Sequence, residues 1–318
     1  MTLVWWLSAL LLLAVVVAFG YFGYAFARYH RVRHEDRPCG DADRAVRVGE
    51  FDLYVRELGT SSAEPPVIVL HGGPGHSSLS FKDGLDFLAA DRRVVLYDQR
   101  GSGLSEVRSG AAHYDADRLV DEIDAVRRDL LGVDRFVLIA HSAGGALAQR
   151  YLVRYGQHVD RLVLVASTTA NNNLRPAIVW RTLGPGLYAT AMGLPPRGAD
   201  AADAWFGSSQ LSGDTRRLYD RTRTDVISDS GPITFATWFA VSQSLAGRGL
   251  DAEIADVDIP TLVVYGSADS RYTGQETADL LARVIPGART ARIERAGHWP
   301  FLENPEAFRS AVLSFLGP

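Results

Sequence analysis

The sequence predicts an α/β fold, with a mostly parallel central sheet, helices on both faces, a helical cap inserted late in the chain, and an apolar transmembrane helix in front. Three observations predict it. Short apolar runs such as Phe136–Ile139 recur between segments of helical spacing, the alternation that builds parallel sheets. That rhythm stops between Ser167 and about Val257, where aromatic residues accumulate. Finally, Leu3 to Ala27 contains no charged residue.

Residues 3–27 are long enough to cross a bilayer of roughly 30 Å as a helix. Trp5, Trp6, Tyr21, Tyr24 and Tyr29 stand near its ends, as interfacial aromatics do. Ala25, Phe26 and Ala27 resemble a signal-peptidase site, but the apolar run exceeds that of a secretory signal and no basic n-region precedes it. An uncleaved anchor is therefore expected. Arg28, Arg31, Arg33 and Arg37 follow directly, which places the C-terminal domain on the cytoplasmic side by the positive-inside rule.

Residues 28–45, polar and containing Pro38 and Gly40, read as a linker. Val46 to Leu58 alternates around Gly49 and suggests an antiparallel hairpin. Pro66 to Leu70 is a buried strand ending in HGGPG, and Arg93 to Tyr97 another, ending in DQRGSG. Leu119, Ile123, Val126 and Leu130 mark a helix within 114–131. A strand at Phe136, a helix after Ser142 and a strand at Leu162–Val165 follow. Strands at Thr261–Tyr265 and Thr290–Ile293 and helices at 274–284 and 305–315 complete the core, assigned to 46–168 and 258–318. Residues 169–257 form the cap. An insertion there, after a strand's carboxyl end, covers the region where open α/β sheets bind ligands.

Composition narrows the function. With 318 residues, 47% hydrophobic and 22% charged, the chain can bury a core. A net charge of -4 with scattered basic residues excludes general nucleic-acid binding. The single cysteine, Cys39, excludes an intrachain disulfide and a cysteine metal cluster.

The stretch RFVLIAHSAGGALAQ places Ser142 on a strand-to-helix corner, the setting in which a tight turn exposes a nucleophilic hydroxyl. Ala140 stands where such motifs carry their first glycine. A serine nucleophile needs a base, a group to orient that base, and donors for the oxyanion. His298, in RAGHWPFLENPE, and Asp269, in VVYGSADSRY, each lie just beyond a strand. The chain order Ser142, Asp269, His298 suits such a triad. The adjacent glycines of HGGPG let the N–H of Gly73 approach a substrate oxygen opposite the N–H of Ala143. His71 reads as structural.

The combination of HGGPG, DQRGSGLS, AHSAGG and GHWPFLENP most resembles the proline iminopeptidase group of the α/β-hydrolase superfamily, from Val46 to the C-terminus. The resemblance implies Ser142 as nucleophile, His298 as base and Asp269 as acid, with Asp98 to Gly103 a structural turn beneath them. It implies neither a metal nor an organic cofactor. Two departures are visible. Ala143 follows the serine where those enzymes commonly have tryptophan, and no glutamate occurs between Glu122 and Glu253, although the group holds its substrate's amine with cap glutamates. Asp200, Asp203, Asp214, Asp220, Asp225 and Asp229 are the available substitutes. A small amide or short peptide substrate therefore stands beside an ester or lactone, or a carbon–carbon bond hydrolysed by the same triad. A non-catalytic, membrane-tethered binding protein would be expected to have lost a triad residue, and none is missing.

Overall fold

In the computed structural model of the protein, residues 2–60, 62–170, 177–246 and 249–317 are described. Helix α1 (Thr2–Tyr29) precedes a hairpin of β1 (Ala45–Val48) and β2 (Phe51–Leu58), in which Val48 pairs with Phe51 across Gly49, whose φ is 54°. Strands β3 (Val67–Leu70) and β4 (Val94–Tyr97) follow. Helix α2 (Ala116–Ala125) runs on into a π-helical turn over Val126–Leu131. Next come β5 (Phe136–His141), α3 (Gly144–Tyr155) and β6 (Val159–Val165). The cap contributes α4 (Ala177–Met192), α5 (Ala199–Asp214), α6 (Phe235–Leu245) and the short α7 (Asp251–Ile254). The core resumes with β7 (Thr261–Gly266), α8 (Gln275–Val284) and β8 (Arg289–Ile293), and closes with the short α9 (Pro300–Glu303) and α10 (Pro305–Leu316).

The eight strands form one sheet in the order β1-β2-β4-β3-β5-β6-β7-β8. β1 and β2 are antiparallel at one edge, and the rest run parallel. Alternation along the central strands divides the core in two. Ile68, Leu70, Leu138 and Ala140 pack with Ile123 of α2, Leu147 of α3 and Leu281 of α8. Val67, Val69, Val137 and Ile139 pack on the other face with Phe81, Phe308, Val312 and Leu316. Burial on both faces explains why these strands read as unbroken apolar runs. The parallel arrangement also brings the carboxyl ends of β3, β5, β6 and β7 to one rim, where HGGPG, Ser142, the start of the cap and Asp269 all emerge.

The segment expected to be a linker is packed instead. Tyr29 is fully buried, 5.8 Å from Phe235 and 5.7 Å from Phe239 by ring centroids. His34 stacks on Tyr114 at 3.7 Å, and its Nε2 lies 3.1 Å from Thr237 Oγ1. Arg37 bridges to Val107 through the backbone and donates to Gly103 O and Thr234 Oγ1. Deleting residues 1–34 is therefore expected to destabilise the remaining domain, with loss of Tyr29 alone costing on the order of 3 kcal/mol. Deleting only 1–20 spares these contacts. Thermal unfolding of the two truncated proteins in the same detergent distinguishes them, and equal midpoints would show that the packing contributes nothing.

Candidate active site

Ser142 occupies the turn between β5 and α3 with φ of 53°, a left-handed conformation that costs a non-glycine residue on the order of 1 kcal/mol. The neighbours hold it there. Its N–H donates to Val165 O (2.9 Å), and its carbonyl accepts from Gly145 N and Thr168 N (3.0 Å each). A Cβ on Gly144 would come within 2.6 Å of the His71 carbonyl, so the glycine lets α3 start directly against HGGPG. Ser142 is nearly buried, at 8% exposure.

His298 and Asp269 meet at the same rim. His298 Nδ1 lies 2.9 Å from Asp269 Oδ2, and both side chains are buried. Burial lowers the His298 pKa to about 4, aided by the nearby Arg217 charge and opposed by Asp269. For Asp269, burial acts to raise the pKa but is outweighed by His298 and then Arg217, which hold it at about 2. The resting pair is thus a neutral imidazole beside a carboxylate. No hydrogen bond joins the Ser142 hydroxyl to His298 among the described residues. The link between their loops runs through His141, whose Nε2 donates to the His298 carbonyl at 2.9 Å.

The HGGPG loop lies against the serine. A Cβ on Gly72 would stand 2.8 Å from that of Ser142, and Gly73 has φ of 41°. Neither the N–H of Gly73 nor that of Ala143 donates to a protein acceptor among the described residues. Beneath them Asp98 is fully buried and accepts from Ser77 Oγ, Ser78 N and Leu104 N, tying this loop to the DQRGSG turn. His71 accepts from Gln99 N at its Nε2 and donates from Nδ1 to Gly72 O, a structural role.

The α/β hydrolase fold family matches residues 65–305. The chain belongs to that family. The proline iminopeptidase of Lactobacillus delbrueckii subsp. lactis is 26% identical over 299 residues, spanning 86% of this chain and 97% of that protein. The 2-hydroxy-6-oxo-6-(2'-aminophenyl)hexa-2,4-dienoic acid hydrolase of Metapseudomonas resinovorans is 27% identical over 281 residues, spanning 86% and 90%. The crystal structure of a hydrolase from Pseudomonas aeruginosa PA01 superposes with a TM-score of 0.66 at 26% identity, covering 90% of this chain and 98% of that one. This α/β hydrolase is thus a hydrolytic enzyme with peptidase and carbon–carbon hydrolase relatives.

In this hydrolase the cap reaches into the site through Arg217, which no sequence pattern marks. Its Nη2 lies 2.7 Å from His298 Nδ1 and donates to Thr273 Oγ1 at 3.2 Å, while Nη1 is 3.7 Å from Asp214. The backbone is stitched to the same loop, since His298 N donates to Arg217 O and Tyr219 N to Glu303 Oε2. Glu303 Oε1 also accepts from Gly297 and Trp299 N–H groups, which explains the conformation of GHWPFLE. A cavity of about 420 Å³ between Tyr219, Arg223, Arg295 and Glu303 includes none of Ser142, Asp269 and His298.

The cap aspartates are mostly engaged elsewhere. Asp203 accepts from Phe235 N at the start of α6, Asp220 from Thr222, and Asp225 pairs with Arg223. Asp200 and Asp229 are exposed. Asp214 alone of the six is within ion-pair reach of a side chain touching His298; burial raises its pKa to about 6.

The pH dependence follows from the His298 environment. A histidine base with an ordinary pKa would give activity rising through roughly pH 6 to 7.5. With its pKa near 4, His298 stays neutral well below that range, so kcat/KM is expected to be flat near neutrality and to fall only as pH drops through about 4. Arg217→Met removes a charge that opposes protonation and should move the acid limb upward. A pH–rate profile of both proteins on one ester checks the sign; an unmoved limb would exclude Arg217 as a cause.

Proposed function

We propose that the protein is a membrane-anchored serine hydrolase acting through an acyl-enzyme. Ser142 attacks a carbonyl, His298 accepts its proton, and Asp269 holds His298 in the tautomer with Nδ1 protonated. The N–H groups of Gly73 and Ala143 donate to the oxyanion. His298 then protonates the leaving group, and water releases the acyl product by the reverse sequence. The observation that carries this reading is the buried His298–Asp269 hydrogen bond on the rim where Ser142 is held at positive φ.

The substrate class on this reading is an ester or amide with a small or medium apolar acyl group. Of the six cap aspartates four are held by protein partners and the other two, Asp200 and Asp229, are exposed, which favours esters over an N-terminal proline. p-Nitrophenyl butyrate is therefore expected to be hydrolysed at least as well as proline p-nitroanilide. Assaying both in parallel decides the matter, and a strong preference for the free-amine proline substrate would establish iminopeptidase activity instead. The aminophenyl-hexadienoate hydrolase relative makes carbon–carbon bond hydrolysis by the same residues the second reading.

Helix α1 is the anchor on this proposal. The span Val4–Tyr29, 26 residues, is long and apolar enough to cross a membrane, at about 39 Å for 1.5 Å per residue. Most of its large apolar side chains project away from the protein. The arginines after it favour a cytoplasmic catalytic domain.

A further inference from the structure

Helix α4 of the cap carries an apolar face that the domain leaves uncovered. Val179, Leu183 and Leu187 are 43%, 44% and 56% exposed, and their four-residue spacing puts them on one side of the helix. Trp180 and Ala189 are buried. No acidic residue occurs anywhere in α4.

The same helix lies against α1. A Cβ on Gly186 would come within 1.6 Å of the Phe22 ring, so the missing side chain is what lets the helices touch there. Farther along, Tyr29 Oη donates to Gly193 O at 2.7 Å and Arg28 Nη2 to Pro195 O at 2.8 Å. From Phe22 to Tyr29 and from Gly186 to Gly193 are equal steps along the chain, so the two helices run side by side in the same direction. Leu183 and Val179 therefore lie about 5 and 10 Å beyond Gly186 toward the purely apolar part of α1. That part exposes Val15, Val16, Val17 and Phe19, so exposed apolar side chains of both helices stand at the same levels along the pair.

We propose that the cap docks on the bilayer through α4, with Val179, Leu183 and Leu187 embedded among the acyl chains of the leaflet that holds the C-terminal half of α1. The proposal rests on α1 being the membrane anchor. Lipid acyl chains fit because the face is apolar, free of acidic groups, and level with a helix surface that suits hydrocarbon. Thr168, whose N–H donates to the Ser142 carbonyl, precedes the start of α4 by nine residues. The cap is thereby held at the lipid surface, where acyl compounds that partition into membranes are concentrated.

The test uses full-length protein in phosphatidylcholine vesicles on a Cys39→Ser background. Single cysteines introduced by Leu11→Cys, Val179→Cys, Leu183→Cys, Leu187→Cys and Val153→Cys are labelled with an environment-sensitive fluorophore, and nitroxide-bearing lipids are added as quenchers. Leu11 lies within α1, and Val153 is an exposed position on α3 of the core. The expected result is loss of fluorescence at Leu11 and at all three α4 positions, with none at Val153. Quenching at Leu11 while the α4 positions behave like Val153 would overturn the docked cap and leave the anchor standing. An unquenched Leu11 would remove the anchor and the proposal with it.

Discussion

Ser142→Ala is expected to abolish labelling by a fluorophosphonate probe and to lower turnover by about 10⁶, the scale seen when a triad serine is removed. The fold should be unaffected, because alanine retains the Cβ that the left-handed φ of 53° already strains. Ser142→Gly gives a sharper comparison. It should be equally inactive yet more stable than the alanine variant, by about 1 kcal/mol, since glycine adopts this conformation freely. Probe labelling followed by mass spectrometry, with thermal unfolding of both variants, checks the pair of effects. Labelling that persists at another residue, or a wild-type protein that never reacts, would remove Ser142 as the nucleophile.

The sequence displays some parts of this molecule and hides others for identifiable reasons. β3, β5 and β7 are legible because strands covered on both faces need apolar side chains at every position, and Val67–Leu70 and Phe136–Ile139 supply them. Ser142, Asp269 and His298 are legible as candidates because each follows a strand within five residues, and parallel strands bring such positions to one rim. The packing of residues 28–44 has no such signature. Tyr29, His34 and Arg37 are residues equally at home in a solvated linker, and their partners Phe239, Thr237 and Thr234 lie some two hundred positions away. Arg217 is hidden for the same reason: its effect comes from a contact with His298 across 81 positions. His141 is visible in the motif, but its hydrogen bond to the His298 carbonyl joins residues 157 positions apart. The apolar face of α4 has no mark of its own, because aromatic residues dominate the cap sequence and most of them pack on one another.

Asp269→Asn is expected to lower kcat by about 10⁴ with little change in KM, the loss that follows when a triad histidine is held in the wrong tautomer. The carboxylate accepts from His298 Nδ1–H at 2.9 Å, which leaves Nε2 free to take the serine proton. An asparagine can turn its amide toward the ring and donate instead, so that Nδ1 becomes the acceptor and the proton moves to Nε2. Arg217 pushes the same way, because its guanidinium, 2.7 Å from Nδ1, can only donate. On the proposed mechanism Asp269 keeps the base productive against a neighbouring cation, and the substitution leaves that cation unopposed. Combining Asp269→Asn with Arg217→Met should recover part of the lost kcat, as a merely structural aspartate would not allow. Asp256 and Asp258 cannot take over, since they precede β7 while Asp269 follows it, a separation of about 20 Å for a six-residue strand. Steady-state kinetics of the two single variants and the double variant measure each step. Near-normal kcat in Asp269→Asn would rule out this carboxylate as the group that orients His298.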